Sequence, residues 1–432
     1  MKVMLVSRNN AAETALQLRT RAAGDSEIKE IVREIVEDVR KEGDEALIRL
    51  ASQIDRVDLS LEELLTEREE MKESLQHLPP DLILALKTLR RNIQAFERRI
   101  FKRLSISLNI NGYAVNFRPI PLESVGCYAP GGLASYPSTI MMLGVPGSLA
   151  GVERLVLATP PRRNEADKRL VMAAAYLAGF HQILWAGGAQ AIAALAYGTQ
   201  RLRRVMKILG PGNRFVLEAK LLVSKEVTVD FTAGPTELLV VTDCHSPHGQ
   251  AALELLAQAE HSPDTLVGAI TLDAESGEQL LSKLNELLEK LPEGSAAKKS
   301  IADNGFICAA DSWEAAARFI NTLAPEHILV YARVGWRNLR MIRNAGVVSY
   351  GPASSSVFLD YYAGPSHVLP TEGMASIRGG LTVLDYVKLL PVVKPTKPSL
   401  AKALKNMRPL ILAEGLPLHL RALEGALGHD AK

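Results

Sequence analysis

The spacing of hydrophobic and polar positions changes twice along the chain. From Ser26 to about Arg103, as in "EIKEIVREIVEDVRKEGDEALIRLASQI", isoleucine, valine and leucine recur at intervals of three and four, which predicts amphipathic helices. The glycine in "KEGDEA" suits the end of one helix and the start of the next, and "LPPDL" opens another with proline in its first turn. The texture then shifts to short apolar runs that end in glycine or proline, "RLVLATPP", "QILWAGGAQ" and "KILGPGN", separated by helical stretches. That order reads as βαβαβ and a parallel sheet. A second alternating region follows. "ELLVVTD" reads as a strand, Ser246-Pro247 as the start of a helix over Gly249 to Glu260, and "TLVGAITL" as the next strand. "DSWEAAARFINTLAPEHILVYA" repeats the scheme, with a helix from about Ser312 to Leu323 and a strand from Ile328. The closing segment from "KPTKPSLAK" onward begins with a proline-broken linker and becomes helical again. The expected fold is α/β, with two Rossmann-like parallel-sheet domains of an incomplete dinucleotide-binding type, a helical N-terminal arm and a helical C-terminal tail.

Composition narrows the class without naming a chemistry. A chain of 432 residues with 47% hydrophobic and 23% charged content can fill more than one core. The apolar run in "MKVMLVSRNN" is too short for a signal peptide and no stretch approaches the roughly 18 apolar residues of a membrane span, so a cytoplasmic location is the default expectation. Three cysteines, Cys127, Cys244 and Cys308, form no C-x-x-C pair and suggest neither a disulfide framework nor a cysteine zinc site. The net charge of +2 does not point to nucleic acid. The local basic run Leu89 to Arg103 sets its arginines around Ile93, Phe96 and Ile100, as a solvated helix face does.

Ligands of parallel sheets bind outside the carboxyl ends of the strands, where helix N-termini offer free N–H groups to phosphate. That directs attention to Gly187–Gln190 and Gly210–Asn213. No full G-x-G-x-x-G is present, since "GPGNRF" has phenylalanine at the third glycine, so a purely structural use of these turns stays open. Among the nine histidines, His77, His181 and His429 sit beside loops or termini, and His245 and His248 are divided by a helix start. Gln258 and His261 in "AQAEHSPD" share a helix face, which suits either half of a metal site or a capped helix end. Glu326 and His327 in "APEHILVY" stand at a helix-to-strand junction, where an adjacent carboxylate and imidazole suit paired proton transfer. Asp360 and His367 fall in the glycine- and proline-rich "FLDYYAGPSHVLPT", expected as a long loop. Glu414 and His419 flank Pro417, which leaves Glu414 ahead of the helix that carries His419. Together Gln258, His261, Asp360 and His419 form an N/O donor set suited to zinc.

The chain resembles the histidinol dehydrogenases over essentially its whole length, through "GCYAPGGLASYPSTIMM", "GGAQAIAALAYGT", "GPGNRFVLEAK", "DFTAGPTELLVV", "AQAEHSPDT", "APEHILVY", "DYYAGPSHVLPT" and "AEGLPLH" in the family's order. The resemblance implies NAD-dependent oxidation of L-histidinol through L-histidinaldehyde to L-histidine, closing histidine biosynthesis, with NAD and zinc as cofactors. It implies zinc ligation by Gln258, His261, Asp360 and His419, and Glu326 and His327 as the proton-transfer pair. Substrate contacts would come from Thr236, His327, His367 and Glu414 together with the metal ligands, and NAD contacts from Tyr128, Gln190 and Asn213. It further implies a homodimer with an exchanged tail. The expected divisions are residues 1–24 as an arm and 25–127 with 237–381 as a discontinuous domain holding the catalytic and metal residues. Residues 128–236 would form the NAD-binding domain and 382–432 a tail that completes the partner's site. Thr236, Leu359, Ser366, Pro417 and Leu418 depart from the residues usual in the family, which bears on tuning more than on reaction type. A zinc/NAD dehydrogenase of another primary alcohol and a zinc hydrolase are the competing enzyme readings. The hydrolase leaves the cofactor turns without a use.

Overall fold

The computed structural model describes residues 3–20, 26–131, 135–230 and 234–428. His429 and short parts of the segments around Gly131 and Gly234 lie outside them. The first six-stranded sheet is wholly parallel, in the order Val3–Val6, Phe306–Ala310, Leu266–Thr271, Glu237–Thr242, His327–Val330, Val347–Tyr350. The second runs Leu65–Glu67, Gln182–Trp185, Arg154–Thr159, Ser124–Tyr128, Lys207–Leu209, Thr228–Val229, parallel except for its short first strand. The central strands of both sheets are buried on both faces, which is why they read as continuous apolar runs instead of alternating ones. In the first sheet Leu239, Val241 and Ile328 face the helices Ala11–Thr20 and Trp313–Leu323, while Leu238, Val240 and Leu329 face His248–Ala259 and Ala274–Glu289. In the second, Val125, Cys127 and Leu157 take one face, and Val156, Ala158 and Ile208 the other.

Each sheet reverses its strand order once, between Glu237–Thr242 and His327–Val330 in the first and between Ser124–Tyr128 and Lys207–Leu209 in the second. Such switch points leave a crevice beside the strand ends, and residues nominated from the sequence stand beside both.

Local signals account for most helix ends. Gly43 takes φ 63° between the helices Ser26–Glu42 and Asp44–Leu50, a conformation for which glycine carries no Cβ penalty. The helix Pro80–Lys102 begins on its proline, and Ser312 caps Trp313–Leu323 by accepting from the Ala315 N–H. The helix after Ser246-Pro247 spans His248–Ala259, one residue earlier at each end than expected.

Several features differ from the sequence reading. The N-terminal arm is not helical throughout, because Val3–Val6 pairs as an edge strand with Phe306–Ala310 before the helix Ala11–Thr20. Strand pairing also groups the chain differently from the expected divisions: Leu65–Glu67 and Ser124–Tyr128 join the sheet of residues 128–236, not that of 237–381. The tail contains the strand Val387–Lys394, which pairs antiparallel with Tyr113–Pro121 in a three-stranded sheet completed by Ile106–Ile110. The strand lies just ahead of the proline-broken linker read at "KPTKPSLAK", and its position at the sheet edge tolerates Pro391. Finally, Asp360 lies on the short helix Ser356–Tyr361 and not in a loop; Ser355, whose side chain accepts from the Phe358 N–H, starts it. No helix among the described residues is long and apolar enough to cross a membrane.

Candidate active site

A cavity of about 230 Å³ opens between the two sheets. From the second sheet it takes Pro130, Tyr136, Pro211 and Gly212, residues of the turns beyond the carboxyl ends of Ser124–Tyr128 and Lys207–Leu209. From the first it takes Thr236, Gln258, His261, Glu326 and His327, at the amino ends of the central strands. Asp360, His367 and Thr139 close it. Seven of the sequence-nominated residues, Thr236, Gln258, His261, Glu326, His327, Asp360 and His367, therefore line one space.

Thr236 organises the polar wall. Its hydroxyl accepts from Gln258 Nε2 at 2.8 Å and donates to Glu326 Oε2 at 2.5 Å, and the Glu237 N–H donates to the same carboxylate oxygen at 2.9 Å. The Gln258 amide thus spends its N–H on Thr236, which directs Oε1 away from that bond as a free donor atom. His327 is 3% exposed, with Nδ1 3.6 Å from Glu326 Oε2 and Nε2 3.5 Å from Asp360 Oδ1. Neither ring nitrogen makes a hydrogen bond, nor does the buried Asp360 Oδ1. Unpaired buried polar atoms are costly, so three of them on residues that line one cavity mark a site built for something further. Burial opposes a charge on His327, yet the neighbouring Glu326 and Asp360 carboxylates outweigh it and push the imidazole up to about 10. His367 moves the other way, lowered chiefly by burial. Its Nε2 meets the Thr139 hydroxyl at 3.1 Å and its Nδ1 the Asp360 carbonyl at 3.1 Å, so Thr139 orients a ring that sequence spacing alone could not have paired.

Among the described residues no group of three or more His, Cys, Asp and Glu side chains is arranged to hold a metal. Gln258, His261 and Asp360 do meet at the cavity and offer N/O donors, with Asp360 Oδ1 unpaired, so they fit a borderline cation short of one ligand. Glu414 and His419 are exposed on the tail and line no part of the cavity. Of the tail helices Lys397–Ala413 and Pro417–Ala426, only Leu420 is buried, and Leu410, Leu412 and Leu418 are 55%, 50% and 72% exposed. The two helices hold each other through Arg408 and Glu424 at 3.0 Å and touch the body at Gly112 and Asn111, yet most of their apolar side chains stay exposed in the single chain.

Tyr128, Gln190 and Asn213 stand along the carboxyl edge of the second sheet. The Tyr128 hydroxyl accepts from the Gly188 N–H at 3.1 Å, Gln190 lies buried in the first turn of Gly188–Tyr197, and Asn213 caps Arg214–Val223 through the N–H groups of Phe215 and Val216. Sequence reasoning missed what shapes this edge. Gly210, at φ 117°, has its N–H bonded to Asp230 Oδ2 at 2.7 Å, while Lys220 bridges Asp230 to the Gly210 carbonyl. A Cβ at Gly210 would lie 2.1 Å from the Tyr128 carbonyl oxygen, so the turn requires glycine. Asp55, raised to about 6 by burial, faces Gln190 from the first helical segment. Cys127 is fully buried and its thiol is pushed up to about 12 by burial, which removes it as a nucleophile.

Comparison with known proteins gives the family. A family model described as histidinol dehydrogenase matches residues 18–426. The histidinol dehydrogenase of Moorella thermoacetica is 40% identical over 395 residues, covering 91% of this chain and 93% of its own. That of Thermus thermophilus is 40% identical over 401 residues, covering 93% and 95%. The crystal structure of histidinol dehydrogenase from Elizabethkingia anophelis superposes with a TM-score of 0.87 at 31% identity, over 94% of this chain and 93% of that one.

Proposed function

The chain belongs to the histidinol dehydrogenase family and has that activity in histidine biosynthesis, and on this premise we propose that Glu326 and His327 move its protons while Gln258, His261 and Asp360 hold its metal. The family uses NAD and zinc. The observation that carries the assignment is the convergence of Thr236, Gln258, Glu326, His327, Asp360 and His367 on one cavity, with unpaired nitrogens on His327 and an unpaired oxygen on Asp360.

When bound, zinc would orient the nitrogen donors of L-histidinol and compensate the Asp360 charge, releasing His327 from one of the two carboxylates that hold its proton. NAD, accommodated along Tyr128, Gln190 and Asn213, would accept one hydride in each of two oxidations. In the first, His327 takes the hydroxyl proton as the carbinol carbon gives up hydride, leaving an aldehyde. In the second, Glu326 takes a proton from water as its oxygen adds to the aldehyde carbon. The former carbonyl oxygen takes up the proton held by His327, and the resulting gem-diol gives up a second hydride and two protons to become the carboxylate of L-histidine. Thr236 and the Glu237 N–H hold Glu326 Oε2, which orients the carboxylate for that task. His367 contributes to substrate binding and keeps its orientation through Thr139. His419 of the partner subunit completes the metal donors and Glu414 of the partner subunit faces the substrate, which accounts for an exposed apolar tail and for a donor set one ligand short.

The test is production of NADH from L-histidinol by the zinc-loaded protein, with His327→Ala alongside. Parent turnover with loss of about 10²–10⁴-fold in the variant is expected of a general base. A parent that forms no NADH with any primary alcohol yet cleaves amides in a zinc-dependent way would favour the hydrolase reading.

A further inference from the structure

We infer that Glu237, held by Arg19, is a positioning residue for Glu326, a role that rests on the proton-transfer reading above. Glu237 opens the central strand of the first sheet and is 4% exposed. It is not among the residues that line the cavity, so it does not touch what binds there. Its bonds run to the residue that does. The Glu237 N–H donates to Glu326 Oε2 at 2.9 Å, and Glu237 Oε2 accepts the Glu326 N–H at 3.3 Å. One neighbour therefore grips Glu326 at both its backbone and its carboxylate. The other oxygen, Glu237 Oε1, accepts the Glu372 N–H at 2.8 Å and Arg19 Nη1 at 3.1 Å. Arg19 stands on the N-terminal helix and also reaches the Ala324 carbonyl at 3.5 Å, directly before Pro325 and Glu326. The segment 324–326 is thus fastened from both sides, by Glu237 in the sheet and by Arg19 from outside it.

The guanidinium has a chemical reason to be there. Burial pushes the Glu237 carboxyl up, and it stands at about 7 with Arg19 and the Glu372 N–H both acting against that rise. A protonated carboxyl would turn one acceptor oxygen into a donor, while N–H groups of Glu326 and Glu372 both require acceptors. Arg19 shifts the balance toward the accepting form of the clamp. The N-terminal helix, remote from the cavity in sequence, thereby takes part in aiming the water-activating carboxylate.

The experiment is a double-mutant cycle on the zinc-loaded protein, with turnover measured on L-histidinaldehyde plus NAD. Glu237→Gln preserves shape but presents a single carbonyl oxygen to several donors, and should lower aldehyde turnover about 10–100-fold, the range for a supporting hydrogen-bond partner, with KM changed less than about threefold. In a Glu326→Gln background the same substitution should cost less than about twofold, because its effect passes through Glu326. Arg19→Gln should reproduce the loss in smaller measure and Arg19→Lys should restore most of it. If Glu237→Gln does not fold, Arg19→Gln enters the cycle in its place. Equal losses with and without Glu326 would overturn the positioning role and leave the catalytic reading intact. A Glu326→Gln variant with parental aldehyde turnover would overturn both.

Discussion

Replacing Thr236 with valine isolates what one hydroxyl does at the centre of the site. Valine nearly matches threonine in volume, so packing stays while both hydroxyl bonds go. The first is the bond accepted from Gln258 Nε2 at 2.8 Å, and the second is the one donated to Glu326 Oε2 at 2.5 Å. A buried polar group left without its partner costs about 1–3 kcal/mol. The Gln258 amide, 4% exposed, then has no acceptor to fix its orientation and can turn its N–H group toward the metal position. Zinc affinity should fall about 10–100-fold, as for loss of other groups that orient metal ligands. That corresponds to about 1.4–2.8 kcal/mol, the scale of a single lost bond. Competition for zinc between the apoprotein and a chromophoric chelator measures it, with Thr236→Ser in parallel. Serine keeps the hydroxyl and should hold zinc as the parent does. Parental zinc affinity in Thr236→Val, or an equal loss in Thr236→Ser, would refute the argument that the hydroxyl sets the amide.

Two further predictions concern parts of the molecule away from that hydroxyl. Glu97 is fully buried on the helix Pro80–Lys102, with one oxygen bonded to the Val383 N–H at 2.8 Å and the other unpaired, and burial raises its carboxyl from 4.5 to about 7. Between those values the folded protein binds more protons than the unfolded chain, so stability falls as pH rises through the window. Glu97→Gln should gain about 2–3 kcal/mol at pH 8 and nothing near pH 4 in urea melts, whereas a gain independent of pH would contradict the linkage. Mixing inactive His419→Ala with inactive Glu326→Gln should restore about one quarter of parental activity, since random pairing in a two-fold dimer makes half the dimers mixed and rebuilds one of their two sites. No recovery after mass spectrometry shows subunit exchange would mean that the tail serves its own chain.

The parallel sheets were legible because doubly buried strands must be apolar throughout and must end in turn residues, as "RLVLATPP" and "KILGPGN" do at the carboxyl ends of their strands. The antiparallel three-stranded sheet was not. Its strand Val387–Lys394 is interrupted by proline and largely exposed, so neither alternation nor a continuous apolar run marks it. Asp360 was misplaced for a related reason: the helix carrying it spans six residues, too short for the period of 3.6 to show. The residues that meet at the cavity were nominated from junctions and turns, but their mutual distances are tertiary facts. Nothing in "APEHILVY" says that Thr236, ninety positions earlier, gives its hydroxyl proton to Glu326. Arg19 was invisible for the same reason, since its partner lies 218 positions away.

On the proposed assignment, the orientation of the two sheets suits a cation on one side of the cleft and a phosphate-bearing cofactor on the other. The second sheet turns its carboxyl edge to the cleft, and there the helices Gly188–Tyr197 and Arg214–Val223 begin, so the positive ends of helix dipoles face the side assigned to NAD. The first sheet turns its amino edge to the same cleft, against the usual rule for ligands of parallel sheets. On that edge helices end instead of beginning. His248–Ala259 finishes just beyond Gln258, and Trp313–Leu323 finishes at Ala324, two residues before Glu326. Carbonyl groups and negative dipole ends therefore gather where Gln258, His261 and Asp360 would take zinc. Two copies of one α/β plan, set with opposite edges toward a shared space, give the pocket a positive wall and a negative wall. On the proposed assignment, the alcohol carbon that must lose hydride and the ring that must receive it would meet at the seam between them.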